Sequence, residues 1–344
     1  MKKSCLIPMA VAIALLCACA PKNDNSLPRG KATEEQAAAF EAFLQAEADA
    51  GEEIHSAMLL QHGKVIAERW MEPNAPDSAH VMHSVSKTFT SIAVGFAISE
   101  GLMNLDDHLV DFFPDKVTGN LSANLRAITV RDLLTMSCGH EEEHTNEIRN
   151  GECDDWVAEF FKFPVERKPG TYFCYNTIGT YMLSAIVQKV SGEKIVDYLE
   201  PRLWKPLGIE KPFWKECPKG INFGGWGLYL KTEDMAKTGQ TLLDGGKYRG
   251  MQVIPAEWVA EMTKAQIDNV PENYDPETDT SPDWREGYCY QMWRCRHNVV
   301  RADGAYGQYI IVMPDKDAVM AITGNVQNMQ VEINPVWDII LPVL

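Results

Sequence analysis

The chain has 344 residues, 45% of them hydrophobic, and a formal net charge of −16. That is enough apolar material for one large core or two medium ones, which excludes a disordered chain. No run of Lys and Arg forms a basic stripe that could release counterions from a phosphate backbone, so nucleic acid is excluded as a partner.

Lys2 and Lys3, the apolar run from Leu6 to Leu16 and the small residues after it read as a targeting segment, so residues 1–18 are expected to be a signal peptide outside the fold. Two cuts compete. Ala18-Cys19-Ala20 suits ordinary signal peptidase, whereas Leu16-Cys17-Ala18-Cys19 resembles a bacterial lipobox with Cys19 as the acylated residue; Pro21 directly after the ordinary cut disfavours it. Residues 19–32 then become a lipid-anchored tether, because Lys22 to Lys31 is hydrophilic and rich in turn formers. This makes the protein an exported lipoprotein of the bacterial cell envelope, periplasmic or surface-facing, held to the membrane only by its N-terminal lipid, as no other segment is long and apolar enough to span a bilayer.

The folded domain is expected over residues 33–344. Thr33-Glu34-Glu35-Gln36 has capping-box spacing and opens a helix that Gly51 stops. Ser56 to Leu60 and Val65 to Trp70 are β-type runs around the hairpin-turn sequence Gln61-His62-Gly63-Lys64. From Ser84 onward Phe89, Ile92, Ala93, Phe96 and Ala97 recur at helical spacing as far as Gly101. Helical signals continue at Val130 to Met136, Thr180 to Val190, Ile195 to Trp204, Glu233 to Leu243 after a cap at Thr232, and Ala256 to Lys264. β character returns in Tyr288 to Trp293, Val299 to Ala302, Tyr309 to Met313 and Val319 to Thr323. Strands, then helices, then strands imply an α+β fold: an antiparallel sheet built from both chain ends, flanked by helices, with a helical subdomain inserted at about residues 104–215.

Setting aside the cysteines of the leader and Cys19 leaves Cys138, Cys153, Cys174, Cys217, Cys289 and Cys295, which an oxidising compartment would allow to pair. Six residues of straight strand span roughly 20 Å, so Cys289 and Cys295 are a poor pair. A Cys138–Cys153 bridge would close the acidic loop between them, and buried free thiols are the alternative for all six.

Ser-x-x-Lys occurs twice, about as often as residue usage alone would produce. Ser191-Gly192-Glu193-Lys194 falls where a helix ends at glycine and reads as a turn. Ser84-Val85-Ser86-Lys87 falls at a helix start, where residues three apart share a face and the helix dipole favours negative charge on the Ser84 oxygen. Burial of Lys87 there would lower its pKa and let it help remove the serine proton. Ser86, about 100° round the helix, points elsewhere.

The stretches His83 to Ser91, Asp106-Asp107-His108-Leu109-Val110 and Ile128 to Met136 resemble the serine β-lactamase and penicillin-binding superfamily, in particular the class C-type branch with its esterases and D-stereospecific peptidases. Pro169-Gly170-Thr171, Gly224 to Leu228 and Tyr306-Gly307-Gln308-Tyr309 extend the likeness through most of residues 55 to 325. The resemblance implies a β-lactamase/transpeptidase-like fold and catalysis by Ser84, Lys87 and Tyr175. The family's Tyr-x-Asn motif falls on Tyr175-Asn176-Thr177, with Thr177 in the substrate-holding Asn position and Tyr175 as a phenolate base beside Lys87. The third motif, Lys-Thr-Gly or His-Thr-Gly, falls in Val299 to Gly304, where Arg301 supplies the available cation and Gly304 the closing glycine; both are substrate-binding candidates, and the second oxyanion donor is expected from this strand.

No cofactor or metal is called for. His140-Glu141-Glu142-Glu143-His144 matches the letters of a zinc-protease motif, but it follows Gly139 among polar residues and reads as a solvated acidic loop beside the active-site mouth. Ser122-Ala123-Asn124 reads as a cap or turn, and no Gly-x-Ser-x-Gly elbow is present. The expected function is hydrolysis of an ester or amide through an acyl-enzyme, on a small molecule or short peptide. A true β-lactamase or D-alanyl peptidase is the alternative chemistry, and a non-catalytic binding protein on the same fold the alternative class.

Overall fold

The computed structural model describes residues 25–344 other than 118 and 273, so the expected signal peptide and Cys19 lie outside the described residues. The N-terminal hairpin comprises β1 (Ile54–Gln61) and β2 (Lys64–Trp70). His62 and Gly63 between them both have positive φ, 52° and 70°, the twist a two-residue hairpin loop needs. Near the C-terminus come β3 (Trp293–Arg294), β4 (Val300–Gly304), β5 (Gln308–Met313) and β6 (Ala318–Gly324). All six form one antiparallel sheet in the order β2-β1-β6-β5-β4-β3. β6 pairs with β1, setting Ala57 opposite Ile322 and Leu59 opposite Met320, and so joins the two chain ends as expected.

Five helices carry most of the packing against this sheet and around the site: α1 (Glu34–Ala50), α2 (Ser86–Ser99), α3 (Thr177–Ser191), α4 (Thr232–Leu243) and α5 (Met329–Pro335). Side chains alternate across a strand. Met58, Leu60, Ile310, Val312, Val319 and Ala321 therefore join a large core with α2, α3 and α4. Their neighbours Ala57, Leu59, Tyr309, Ile311, Met320 and Ile322 face a second core under α1 and α5. α4 lies so close to the sheet at Gly239 that a Cβ there would come within 2.6 Å of Val319 and 2.8 Å of Ile310. The Thr33–Gln36 capping box and the left-handed Gly51 bound α1 as its sequence predicts.

Several expectations are corrected. The tether does not extend to residue 32: Leu27 is buried, Gly30 donates to the Val65 carbonyl, and Arg29 forks onto Glu68 and Glu233. Its composition suggested solvation, but one leucine and one paired arginine suffice to dock it along β2. Thr232 is inside α4 rather than its cap, because its hydroxyl bonds Ser56 in the core at 2.6 Å while Asp234 takes the Lys231 N–H. Tyr288 to Trp293 is not a continuous strand; Tyr288 only bridges Ile267 and Trp293. Cys138 and Cys153 are both free thiols, the first bonded to His140 and Asn176, the second to the Asp155 carbonyl. Ser122 caps the short helix Ala123–Ala127, and Ser191 closes α3 before left-handed Gly192.

Candidate active site

Ser84 lies in the tight turn His83–Val85 directly before α2. Every residue of α2 from Ser86 to Ala97 is buried, so the helix is an interior one, and it carries Lys87 inward while Ser84 keeps a partly open face. Lys87 Nζ stands 3.0 Å from Ser84 Oγ and 2.9 Å from the Gly225 carbonyl oxygen. Burial pushes the Lys87 amine down to about 7, against the opposing pull of Glu143 and Asp303. Ser86 turns away and accepts the Leu228 N–H. His83, next to the candidate nucleophile, has φ 43°, a left-handed conformation that costs about 1 kcal/mol or more and persists where surrounding packing dictates it.

Tyr175 comes in just ahead of α3, whose N-cap is Asn176. Its ring lies 4.9 Å from Lys87 Nζ and stacks on Trp293 at 5.4 Å, with Ser84 near enough to act on the ionisation of its phenol. Burial, then Asp303 and Glu143, hold that phenol above its ordinary range, with Ser84 and Arg301 opposing. The resemblance implies a phenolate; partial burial and the charges of the two carboxylates favour the neutral phenol instead. Of the two groups, Lys87 is the one that burial brings toward its uncharged form near neutral pH.

Thr177 begins α3 and is half-buried beside Tyr175, its N–H donating to Glu143 Oε1 at 3.0 Å. The Asn between them is fully buried as a helix cap, accepting from Gly179 N and reaching His140. Thr177 and Gly304 are brought to the Ser84–Lys87–Tyr175 group. Arg301 is not.

β4 explains why. Residues two apart on a strand share a face and those three apart do not, so Gly304 meets the Ser84 turn while Arg301 and Asp303 share the opposite side. Arg301 is 0% exposed, stacked on Trp284 at 4.2 Å, and its guanidinium goes to Asp303, the Asp283 carbonyl and Cys295 Sγ. It offers no cation to the cleft. What it does is hold Asp303, the carboxylate whose charge is felt at both Lys87 and Tyr175.

Sequence reasoning missed Asp303, Glu143 and the Gly225 carbonyl. For Asp303 a signal existed, since it stands two residues from Arg301 in a β run. For Glu143 there was none, because its contact with Thr177 spans 34 positions. The His140–His144 stretch is not helical, and His140 is buried rather than solvated, bonding Cys138 and Asn176 through Nδ1. Burial holds its imidazole down at about 4.

Two cavities open against the Tyr175 ring. One, of about 550 Å³, is walled by Phe173, Tyr175, Trp284 and Trp293 with Arg285 at its side; the other, of about 610 Å³, shares Phe173, Tyr175 and Arg285 and adds Arg167 and Tyr172. A hydroxyl beside a buried amine whose pKa is lowered to about 7, a phenol close to both, and strand backbone against the Ser84 amide can together perform nucleophilic acyl transfer.

The Beta-lactamase family model matches residues 42–339. A 6-aminohexanoate-dimer hydrolase from Paenarthrobacter ureafaciens is 26% identical over 76% of this chain and 70% of its own length. A provisionally assigned D-alanyl-D-alanine carboxypeptidase from Escherichia coli K12 is 22% identical over 58% of this chain, which spans little more than half of that protein, 58%. Among solved structures, a provisionally assigned 6-aminohexanoate-dimer hydrolase from Bacillus anthracis superposes with a TM-score of 0.74 at 19% identity, over 92% of this chain and 87% of that one. The fold is thus the β-lactamase/transpeptidase-like α+β arrangement expected.

Proposed function

The chain belongs to the Beta-lactamase family, and on that premise we propose that it hydrolyses an ester or small amide through an acyl-enzyme on Ser84, with Lys87 and Tyr175 moving the protons. The observation that carries this reading is the 3.0 Å approach of the buried Lys87 amine to Ser84 Oγ. At pH above about 7 that amine is neutral, so it can accept the Ser84 proton as Oγ bonds to the acyl carbon. Negative charge then gathers on the carbonyl oxygen, where the Ser84 N–H and the backbone at the end of β4 would receive it. Collapse expels the leaving oxygen or nitrogen, which takes a proton from the Tyr175 phenol; the phenolate is reprotonated from Lys87. Water repeats the sequence on the acyl-enzyme and frees the acid.

Burial of Arg301 supports the choice of an ester or small amide over a β-lactam, because the expected carboxylate-holding cation of the third motif is spent on Asp303. A second reading draws on Arg285, which lines both cavities beside Tyr175. It would suit an amide whose leaving half ends in a carboxylate, a chemistry in keeping with the names of the hydrolase and carboxypeptidase relatives. Comparing kcat/KM for p-nitrophenyl butyrate, a small linear carboxyl-terminated amide and nitrocefin tests both. Ester cleavage with slow nitrocefin turnover is expected; nitrocefin on the order of 10⁵ M⁻¹s⁻¹ without ester cleavage contradicts them.

Export and anchoring through acylated Cys19 form part of the same proposal, supported by the Leu16-Cys17-Ala18-Cys19 sequence. Mass spectrometry of the mature protein should find a lipid-modified Cys19, and an unmodified N-terminus at Pro21 would contradict it.

A further inference from the structure

The segment that runs from Met136 into the acidic loop mimicking a zinc-protease motif holds the chain on both sides of Tyr175, Met136 before and after it and the loop after it. Cys174 N donates to the Met136 carbonyl at 2.8 Å, and Asn176 N lies 3.2 Å from Met136 Sδ. Asn176 Nδ2 meets His140 Nδ1 at 2.9 Å. Glu143 Oε1 accepts the Thr177 N–H at 3.0 Å and also the Thr145 hydroxyl. The first N–H groups of a helix have no partner within it. Here Asn176 takes the Gly179 N–H and Glu143 the Thr177 N–H, so the entry into α3, and with it the direction in which Tyr175 leaves the backbone, is set from outside the helix.

We propose that Glu143 is a positioning residue for the acyl-transfer site, fixing the start of α3 so that the Tyr175 phenol is directed toward Ser84 and setting a carboxylate next to that site. The inference rests on the serine-hydrolase reading given above.

Glu143 performs two separable tasks. Its oxygen is a hydrogen-bond acceptor for the backbone, which an amide oxygen would replace; its charge acts on Lys87, Tyr175 and Cys174, which an amide would not replace. Lys87 feels the charge of Glu143 from the loop and of Asp303 across β4, and stands against the Tyr175 ring at the start of α3 and the Gly225 carbonyl. Glu143 is faced by Lys87, Tyr175 and Cys174 together with the Thr145 hydroxyl and Thr177 N–H, while neighbouring His144 packs on Phe163 and pairs with Glu147. Both carboxylates favour the protonated Lys87, so deleting one lets the amine lose its proton at lower pH.

The experiment compares wild type, Glu143→Gln and Glu143→Ala as folded full-length chains in kcat/KM against pH with p-nitrophenyl butyrate, alongside fluorophosphonate labelling. Glu143→Gln should keep its plateau kcat within about threefold and move its acid limb down by roughly half a pH unit. Glu143→Ala should lose on the order of 10²-fold in kcat with KM little changed, as a misplaced catalytic group does. An unshifted limb in Glu143→Gln overturns the electrostatic half, and a wild-type kcat in Glu143→Ala overturns the positioning half. If Glu143→Ala fails to fold, Glu143→Asp, which keeps the charge but withdraws the acceptor oxygen from the Thr177 N–H, decides the positioning half: a lowered kcat supports it and a wild-type kcat overturns it. Wild type that takes no label on Ser84 would instead remove the underlying reading, so the two failures are distinguishable.

Discussion

Gly304 lies against the backbone of Ser84 so closely that a Cβ on it would stand 3.1 Å from the Ser84 amide nitrogen and 2.3 Å from the Met82 carbonyl oxygen. The end of β4 and the turn of the candidate nucleophile thus occupy one another's van der Waals boundary. That contact leaves room only for glycine and accompanies the left-handed φ of 43° at His83.

Gly304→Ala should therefore push the Ser84 turn off β4 and spoil the oxyanion donors before it spoils substrate binding. A fall of about 10²-fold or more in kcat is expected, with KM changed much less. Steady-state kinetics on an activated ester checks this, and an alanine variant with wild-type kcat would show that the two backbones can separate freely.

Arg301→Met should unfold the region around Asp303, since removing one member of a buried charged pair costs about 3–5 kcal/mol. Adding Asp303→Asn to it should restore a large part of that loss, because the uncompensated carboxylate is gone. Urea denaturation of the two single variants and the double gives the coupling. If instead Arg301 held substrate, Arg301→Met would raise KM at unchanged stability.

These two residues show what was legible in advance. Ser84 and Lys87 could be read because their spacing and the helical pattern after them are local, and Tyr175 because Pro169-Gly170-Thr171 anchors a family motif. Arg301 was misread by treating strand β4 as a row of letters: its cation seemed available, yet period-two alternation puts it on the face opposite Gly304, against Asp303. The Tyr175 phenolate is disfavoured by charges the local sequence does not display, as the opposing carboxylates arrive from β4 and from a loop 32 positions upstream. The sheet from both chain ends was readable because its strands are short, largely apolar runs bounded by turn residues. Residues 27–30 were not, because docking depends on Glu68 and Glu233.

The pH dependence follows from the same geometry. Lys87 must be neutral to take the Ser84 proton, and burial brings it from its ordinary 10.5 to about 7. Below that pH kcat/KM should fall about tenfold per pH unit, and above it level off. On the proposed mechanism Tyr175 works as a neutral phenol, and since it is held above its ordinary range no alkaline decline below about pH 10 should come from it. A pH–rate profile from 5 to 10 checks both limbs; an acid limb near the ordinary lysine value would mean that Lys87 is solvated in solution.

The central claim is that Ser84 is the acylated residue. Treating the wild type and Ser84→Ala with a fluorophosphonate, then reading intact mass and mapping the modified peptide, addresses it directly. One adduct on Ser84 in the wild type, none in the variant, and a loss of on the order of 10³-fold or more in ester turnover are predicted. Equal labelling of Ser84→Ala, an adduct on another serine such as Ser86, or turnover near wild type in the variant would contradict the account.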